Sequence, residues 1–180
     1  LPDGGAGHFA RTVECIRLRL PNAGIEVLTP DYEGDALQVV LDSCPTVFNH
    51  NVETCRRLSP TVRPAADYDR SLRVLRAAAE DGRAAVKSGF MLGLGEFKSD
   101  IRETLEDLRG AGVEILTIGQ YMRPREECVP VERYVPPDEF DEWGCVARED
   151  FGFSHVSSAP LVRSSFLAEE VAERFGLTSA

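Results

Sequence analysis

The sequence predicts an α/β fold, a partial barrel of βα units around a parallel sheet, and three observations predict it. The first is the run Ala85-Val86-Lys87-Ser88-Gly89-Phe90-Met91-Leu92-Gly93-Leu94-Gly95-Glu96. A short apolar segment ends there in spaced glycines ahead of a helical pattern, as a buried parallel strand does where it delivers its C-terminal end to a site. The second is an internal echo. Ala23-Gly24-Ile25-Glu26-Val27-Leu28-Thr29 recurs as Ala111-Gly112-Val113-Glu114-Ile115-Leu116-Thr117, the same helix-stop-then-strand joint with only aliphatic swaps. The two joints are 88 residues apart with three strand intervals between them, or about 29 residues per unit, the size of a βα repeat. The third is that apolar stripes of helical period fall between the strand candidates. Right-handed crossovers would then gather the strand C-termini at one rim.

Each element follows from local pattern. Leu1 to Gly7 is a turn-rich loop, and Phe9, Val13, Ile16 and Leu20 form the stripe of a first helix, stopped by Pro21, Asn22 and Gly24. Ile25 to Thr29 reads as a buried strand, Asp35 to Ser43 as a short helix, and Thr46 to Asn49 as the second strand. Ser59 to Pro64 is a proline-bearing loop. Tyr68, Leu72, Leu75 and Ala79 repeat the helical stripe before the strand at Ala85. Asp100 and Glu103 mark an acidic helix start, Ile101, Leu105 and Leu108 its buried face, and Gly110 and Gly112 its stop. Val113 to Gly119 is the fourth strand. Beyond it, prolines 124, 130, 136 and 137 mark an extended segment, Asp138 to Asp150 a helix with Phe140, Trp143 and Ala147 inward, and Phe151 to Val156 a short strand or loop. Leu167, Val171 and Phe175 give a last amphipathic helix. The expected organisation is a partial barrel over 1–122 and a C-terminal extension over 123–180 that covers the rim.

Composition bounds the function. At 180 residues and 43% hydrophobic composition the chain can bury one sizeable core. A net charge of −10 argues against nucleic acid, which needs clustered Lys and Arg. No run of about 18 apolar residues suggests a membrane span, and the protein reads as soluble and cytoplasmic. Cys15, Cys44, Cys55, Cys128 and Cys145 are odd in number and widely spaced, unlike a disulfide framework or a metal-ligand cluster. The chain opens on Leu1 without an initiator Met and reads as the remainder of something longer. An unpaired strand edge at Ile25 to Thr29 would make the isolated piece poorly soluble.

Strand-end polarity marks the candidate site. The rim collects Asp31, the group Asn49-His50-Asn51-Val52-Glu53-Thr54, Lys87 and Ser88 with Glu96, and Gln120. Carboxylates and amides there suit hydroxyl and ammonium groups of a ligand, and the glycines permit close backbone approach. Lys87 either neutralises a carboxylate or pairs with Glu96 across the turn. His50 is a further pocket candidate, whereas His8 and His155 read as structural, and no acid-base triad surrounds any of them.

Five stretches, taken in order, carry a family resemblance: Leu1-Pro2-Asp3-Gly4-Gly5-Ala6, Val47-Phe48-Asn49-His50-Asn51-Val52-Glu53-Thr54, Lys87-Ser88-Gly89 with Leu92-Gly93-Leu94-Gly95-Glu96, Leu116-Thr117-Ile118-Gly119-Gln120-Tyr121, and Arg163-Ser164-Ser165-Phe166. Together they resemble lipoyl synthase, a family of radical S-adenosylmethionine enzymes, over essentially the whole chain. The resemblance implies strands three to six of a TIM-like (β/α)6 barrel and the insertion of two sulfur atoms into an octanoyl chain on a lysine of a carrier domain. It implies S-adenosylmethionine and two [4Fe-4S] clusters as cofactors. One cluster is held by Cys-x3-Cys-x2-Cys. The auxiliary one is held by Cys-x4-Cys-x5-Cys and a serine that maps to Ser165, with Ser164 the less favoured match and Phe166 in place of a tyrosine. Implied partners are an octanoylated lipoyl domain or the glycine cleavage H protein, and an electron donor such as ferredoxin or flavodoxin. Arg123, Arg125 and Arg133 are the expected docking cations.

Neither cysteine motif occurs here, so these residues alone would not nucleate a cluster, and a C-terminal portion of a longer enzyme is the economical expectation. Under the resemblance, Asp31, Asn49, Asn51, Glu53, Lys87, Ser88, Glu96 and Gln120 are the candidate S-adenosylmethionine contacts. Two other readings stay open. One is a cluster-free barrel lyase or aldolase using Lys87 as a Schiff-base amine. The other is a module that binds an acyl carrier without chemistry, or half of a split enzyme.

Overall fold

The computed structural model describes residues 1–165. The first strands follow the glycine-stopped joints. β1 (Glu26–Leu28) and β2 (Val47–Asn49) are short, β3 (Ala85–Leu92) is the longest, and β4 (Ile115–Gln120) is buried throughout. A fifth strand, β5 (His155–Ser158), follows, overlapping the stretch from Phe151 to Val156 that reads in the sequence as a short strand or loop. All pairings are parallel and the order is β1-β2-β3-β4-β5. Sequential order with every strand parallel is the wall of an α/β barrel, opened out, with one rim of strand C-termini. The C-terminal segment expected to cover the rim also adds a strand to the wall, and among the described residues β1 has a partner on one side only.

The helices are α1 (Ala6–Arg19), α2 (Asp35–Asp42), the single turn α3 (Ser59–Val62), α4 (Tyr68–Asp81), α5 (Lys98–Gly110) and α6 (Pro137–Glu149). Each helix predicted within the described residues forms, and α3 arises inside the expected loop. None is long and apolar enough among the described residues to cross a membrane. α1 is stopped as expected, but its stripe is half covered: Val13 is buried while Ile16 and Leu20 are exposed. The physical reason is position, since α1 packs on α2 and its Ile16 and Leu20 side is left uncovered among the described residues. The last helix expected from Leu167 onward lies outside the described residues.

Strand alternation divides the sheet. Val27, Phe48, Val86, Phe90, Leu92, Leu116 and Ile118 join one large core with Leu37 and Leu41 of α2, Leu72 and Leu75 of α4, Ile101, Leu105 and Leu108 of α5, and Phe140 and Ala147 of α6. Val47 and Ile115, with Ala85, make a separate small cluster on the other face. Register fixes the rest of that inner face: Asn49 stands beside Lys87, Gly89 beside Thr117, and Met91 beside Gly119.

Candidate functional site

At the rim of the inner face lies a cleft of about 240 Å³ lined by Leu28, Asn51, Glu53, Gly89, Phe90, Met91, Thr117, Gly119, Val162, Arg163 and Ser164. Its floor is bare backbone. A Cβ on Gly89 would collide with Thr117 Oγ1, crowd the Thr117 carbonyl at 3.0 Å and reach Asn51 Oδ1 at 3.4 Å. The side-chain oxygen Oδ1 of Asn51 is shielded from solvent and has no protein partner, an acceptor prepared for a ligand donor. Glu53 holds φ at 65°, a left-handed conformation that costs a non-glycine residue and tends to persist at functional sites. Arg163 arrives from the far side on a strap after β5. Its Nη1 donates to the neighbouring Val162 carbonyl at 2.6 Å, and its remaining donors have no carboxylate partner among the described residues.

Below the cleft on the inner face sits a polar layer. Lys87 Nζ donates to Glu26 Oε1 at 3.0 Å and Oε2 at 2.9 Å, and Asn49 Nδ2 donates to Glu26 Oε1 at 2.8 Å. Lys87 is 1% exposed. Of the two expected alternatives Lys87 therefore neutralises a carboxylate, that of Glu26, and does not pair with Glu96, and the buried, doubly bonded amine is badly placed for Schiff-base chemistry. Asn49 is fully buried with Oδ1 unpartnered, and it stands beside the cleft without lining it.

The structure does not bring the other expected residues into the cleft. Ser88 is adjacent to Lys87 in a strand, so it points to the opposite, helix-covered face, where its hydroxyl is buried without a partner. Gln120 also lies on that face. It fastens the post-β4 segment, Nε2 donating to the Tyr121 and Arg133 carbonyls at 3.0 and 3.1 Å and Oε1 accepting from Val135 N at 2.9 Å. Glu96 closes the turn after β3 by accepting from Gly93 N and Leu94 N at 2.8 and 2.9 Å.

Asp31 is consumed by a buried network. His50 Nε2 lies 2.7 Å from its Oδ1, Ser71 Oγ donates to it at 2.8 Å and Arg70 Nη2 at 3.2 Å. The His50 hydrogen bond, with further help from Ser71 and the Arg70 charge, holds the Asp31 carboxyl far below the usual carboxylate range despite partial burial. His50 Nδ1 faces the Thr29 carbonyl at 2.9 Å, so this ring ties the end of β1 to β2 rather than lining the cleft.

Of the eight expected cofactor contacts, Asn51 and Glu53 line the cleft. From the terminal motif Arg163 and Ser164 do so, while Ser165 is exposed beyond it. Sequence reasoning missed Thr117 and Met91, which alternation from Lys87 and the β3–β4 pairing could have found, and Glu26, which no motif flagged. Of the expected docking arginines, Arg123 bonds the Cys128 and Glu126 carbonyls and Arg133 pairs with Glu139. The five cysteines do not converge, and no group of three potential metal ligands exists among the described residues.

No family model matches the chain. Curated relatives do. Lipoyl synthase of Rubrobacter xylanophilus is 54% identical over 96% of this chain and 54% of the relative. That of Methylococcus capsulatus is 51% identical over 98% and 56%, and that of Pyrobaculum arsenaticum 52% over 96% and 60%. Among solved structures, Streptococcus suis SuiB bound to S-adenosylmethionine superposes with a TM-score of 0.66 at 9% identity, over 82% of this chain and 35% of that one. Methylornithine synthase gives 0.59 at 15% identity, over 96% and 63%. These two likenesses speak to the fold, a partial barrel. With half its residues shared across nearly its whole length, the chain is similar to lipoyl synthases and spans a little over half the length of those relatives.

Proposed function

We propose that the chain supplies one wall of the S-adenosylmethionine site, and the C-terminal strap, of a lipoyl synthase. Such an enzyme inserts two sulfur atoms, at C6 and C8, into an octanoyl chain held on a lysine of a lipoyl carrier domain. The observation that supports this most is the unpartnered Asn51 Oδ1 in a glycine-floored cleft at the strand C-termini. That oxygen and the Glu53 carboxylate accept from the hydroxyl or ammonium groups of S-adenosylmethionine, and Arg163 donates to its carboxylate. Gly89 leaves room for the ligand against the sheet.

The iron–sulfur clusters do not fit the described residues, which offer no converging cysteines. Cluster ligands would have to come from sequence beyond these residues, with Ser165 retained as the proposed serine ligand on the strength of the motif. The carrier, a lipoyl domain or glycine cleavage H protein, and an acidic one-electron donor such as ferredoxin or flavodoxin are the proposed partners.

The test is a fusion in which the 180 residues replace their counterpart in the Rubrobacter xylanophilus enzyme. With S-adenosylmethionine and reductant, the fusion is expected to convert an octanoylated carrier domain to one heavier by two sulfur atoms in intact mass. A fusion that loads both clusters and leaves the octanoyl carrier unchanged would sink the assignment. A carrier-binding module or split-enzyme half is the second reading. Tight retention of octanoylated carrier by the 180 residues alone, without chemistry, would support it.

A further inference from the structure

Asn51 and Glu53 reach the cleft because the chain leaves the regular ladder after β2. His50 N still donates to Lys87 O at 3.1 Å, but the next bond is from Glu53 N to Gly89 O at 3.0 Å, and Met91 N answers to Glu53 O at 2.9 Å. Regular parallel pairing would use residue 52 at that point, so one residue is extra and the segment is a bulge. Thr54 N turns back to Val52 O at 2.8 Å around Glu53 at φ 65°. This is the rare γ-turn of positive φ, which is strained and survives only where its surroundings fix it.

One side chain supplies that fixing from outside the sheet. Arg63 Nη1 donates to the Asn51 carbonyl at 3.3 Å and to the Val52 carbonyl at 3.1 Å, the two acceptors that the bulge takes out of the ladder. Arg63 caps α3, its N–H donating to Ser59 O at 2.8 Å, so the single helical turn inside the expected loop places the guanidinium against the bulge. Arg56, Arg57 and Arg70 nearby all pair with carboxylates. The Arg63 guanidinium has no carboxylate partner among the described residues, and its two hydrogen bonds there are both to bulge carbonyls.

We propose that Arg63 is a positioning residue for ligand binding. It holds the strained bulge that turns Asn51 and Glu53 into the cleft, and touches no ligand itself. The inference rests on the S-adenosylmethionine reading only for the choice of binding probe.

The experiment compares the chain with its R63A and R63K variants by amide hydrogen exchange and by equilibrium dialysis of S-adenosylmethionine. In R63A the Glu53 and Thr54 amides are expected to exchange about tenfold faster or more, with His50 and the β4 amides unchanged, and affinity to fall about tenfold. Added guanidinium ion is expected to restore both, and R63K to retain part of each. Unchanged exchange at Glu53 and Thr54 would overturn the proposal, as would faster exchange spread evenly over the sheet without guanidinium rescue. If the unmodified chain alone binds no S-adenosylmethionine, as one wall of a site can, the affinity comparison is made in the fusion with the Rubrobacter xylanophilus enzyme, and the exchange data still decide the role of Arg63.

Discussion

Lys87 and Glu26, 61 residues apart in sequence, meet across the inner face, the ammonium nitrogen 3.0 and 2.9 Å from the two carboxylate oxygens. β2 lies between their strands and contributes Asn49 to the same carboxylate, so one acid ties together three strands of the wall. Lys87 is 1% and the Glu26 side chain 21% exposed. At that depth the pair itself adds little net stability, but removing one partner strands the other charge. E26A is therefore expected to cost about 3 kcal/mol in urea denaturation, and E26A/K87M to regain much of it. Equal stability of E26A and the parent would show that water already serves the amine. The same burial predicts no borohydride-trapped adduct at Lys87 with a carbonyl ligand.

Asp31 carries a pH signature. Its carboxyl titrates below the ordinary value of 3.8 because His50, Ser71 and Arg70 stabilise the anion. A depressed carboxyl contributes stability that is complete above the unfolded value and disappears as pH falls through the folded one. D31N is expected to lose about 2 kcal/mol near neutrality, and the gap from the parent to close progressively once pH drops below about 4. Stability measured by urea at pH 7, 5 and 3 decides this, and a gap of constant size would mean that the network holds through shape rather than charge.

Gly89 separates fit from stability. Thr117 Oγ1 can rotate away from an added methyl, whereas the Thr117 carbonyl at 3.0 Å cannot. G89A is thus expected to cost only about 1 kcal/mol while filling the floor of the cleft beside Asn51. S-adenosylmethionine binding should fall by more than tenfold against a small change in melting temperature. Retained affinity would place the ligand elsewhere on the rim.

These residues also show what the sequence could and could not disclose. Two glycine-stopped joints located β1 and β4, and stripes of helical period located the main helices, because burial on one face leaves a periodic trace. Lys87 and Ser88 were grouped since they are neighbours in a chain motif, yet neighbours in a strand face opposite ways. Gln120 was legible as a strand-end amide, but only the fold of the segment from Tyr121 to Val135 shows that its hydrogen bonds are spent internally. α3 hid among Ser59, Pro60 and Thr61, a composition that reads as loop. β5 was legible only as a short strand or loop over Phe151 to Val156, because His155, Ser157 and Ser158 lack the apolar run that betrays an interior strand. The Asn51 and Glu53 bulge rests on Arg63, a contact across a connecting turn that no periodicity encodes.

The strap that closes the cleft depends on Gly119. Ala159 N donates to Ile118 O at 3.1 Å and Gln120 N to Pro160 O at 3.2 Å, so the chain after β5 runs across the end of β4. Val162, 3% exposed, is pressed there with its carbonyl where a Gly119 side chain would stand, and it carries Arg163 and Ser164 to the cleft. The nearest obstacle to a methyl group is the Val162 carbonyl, a backbone group that cannot rotate aside as the Arg163 side-chain end at 3.4 Å can. G119A must then shift the strap or β4, and the strap, held by few bonds, is the weaker party. A cost of about 1–3 kcal/mol placed on the strap raises its detached population about 5-fold to about 150-fold. Trypsin is expected to cut after Arg163 faster by that factor under native conditions, with cleavage after Arg109, on α5, unchanged. Equal acceleration at both positions would mean that the substitution loosens the whole wall. No acceleration at Arg163 would mean that the strap does not rest on Gly119.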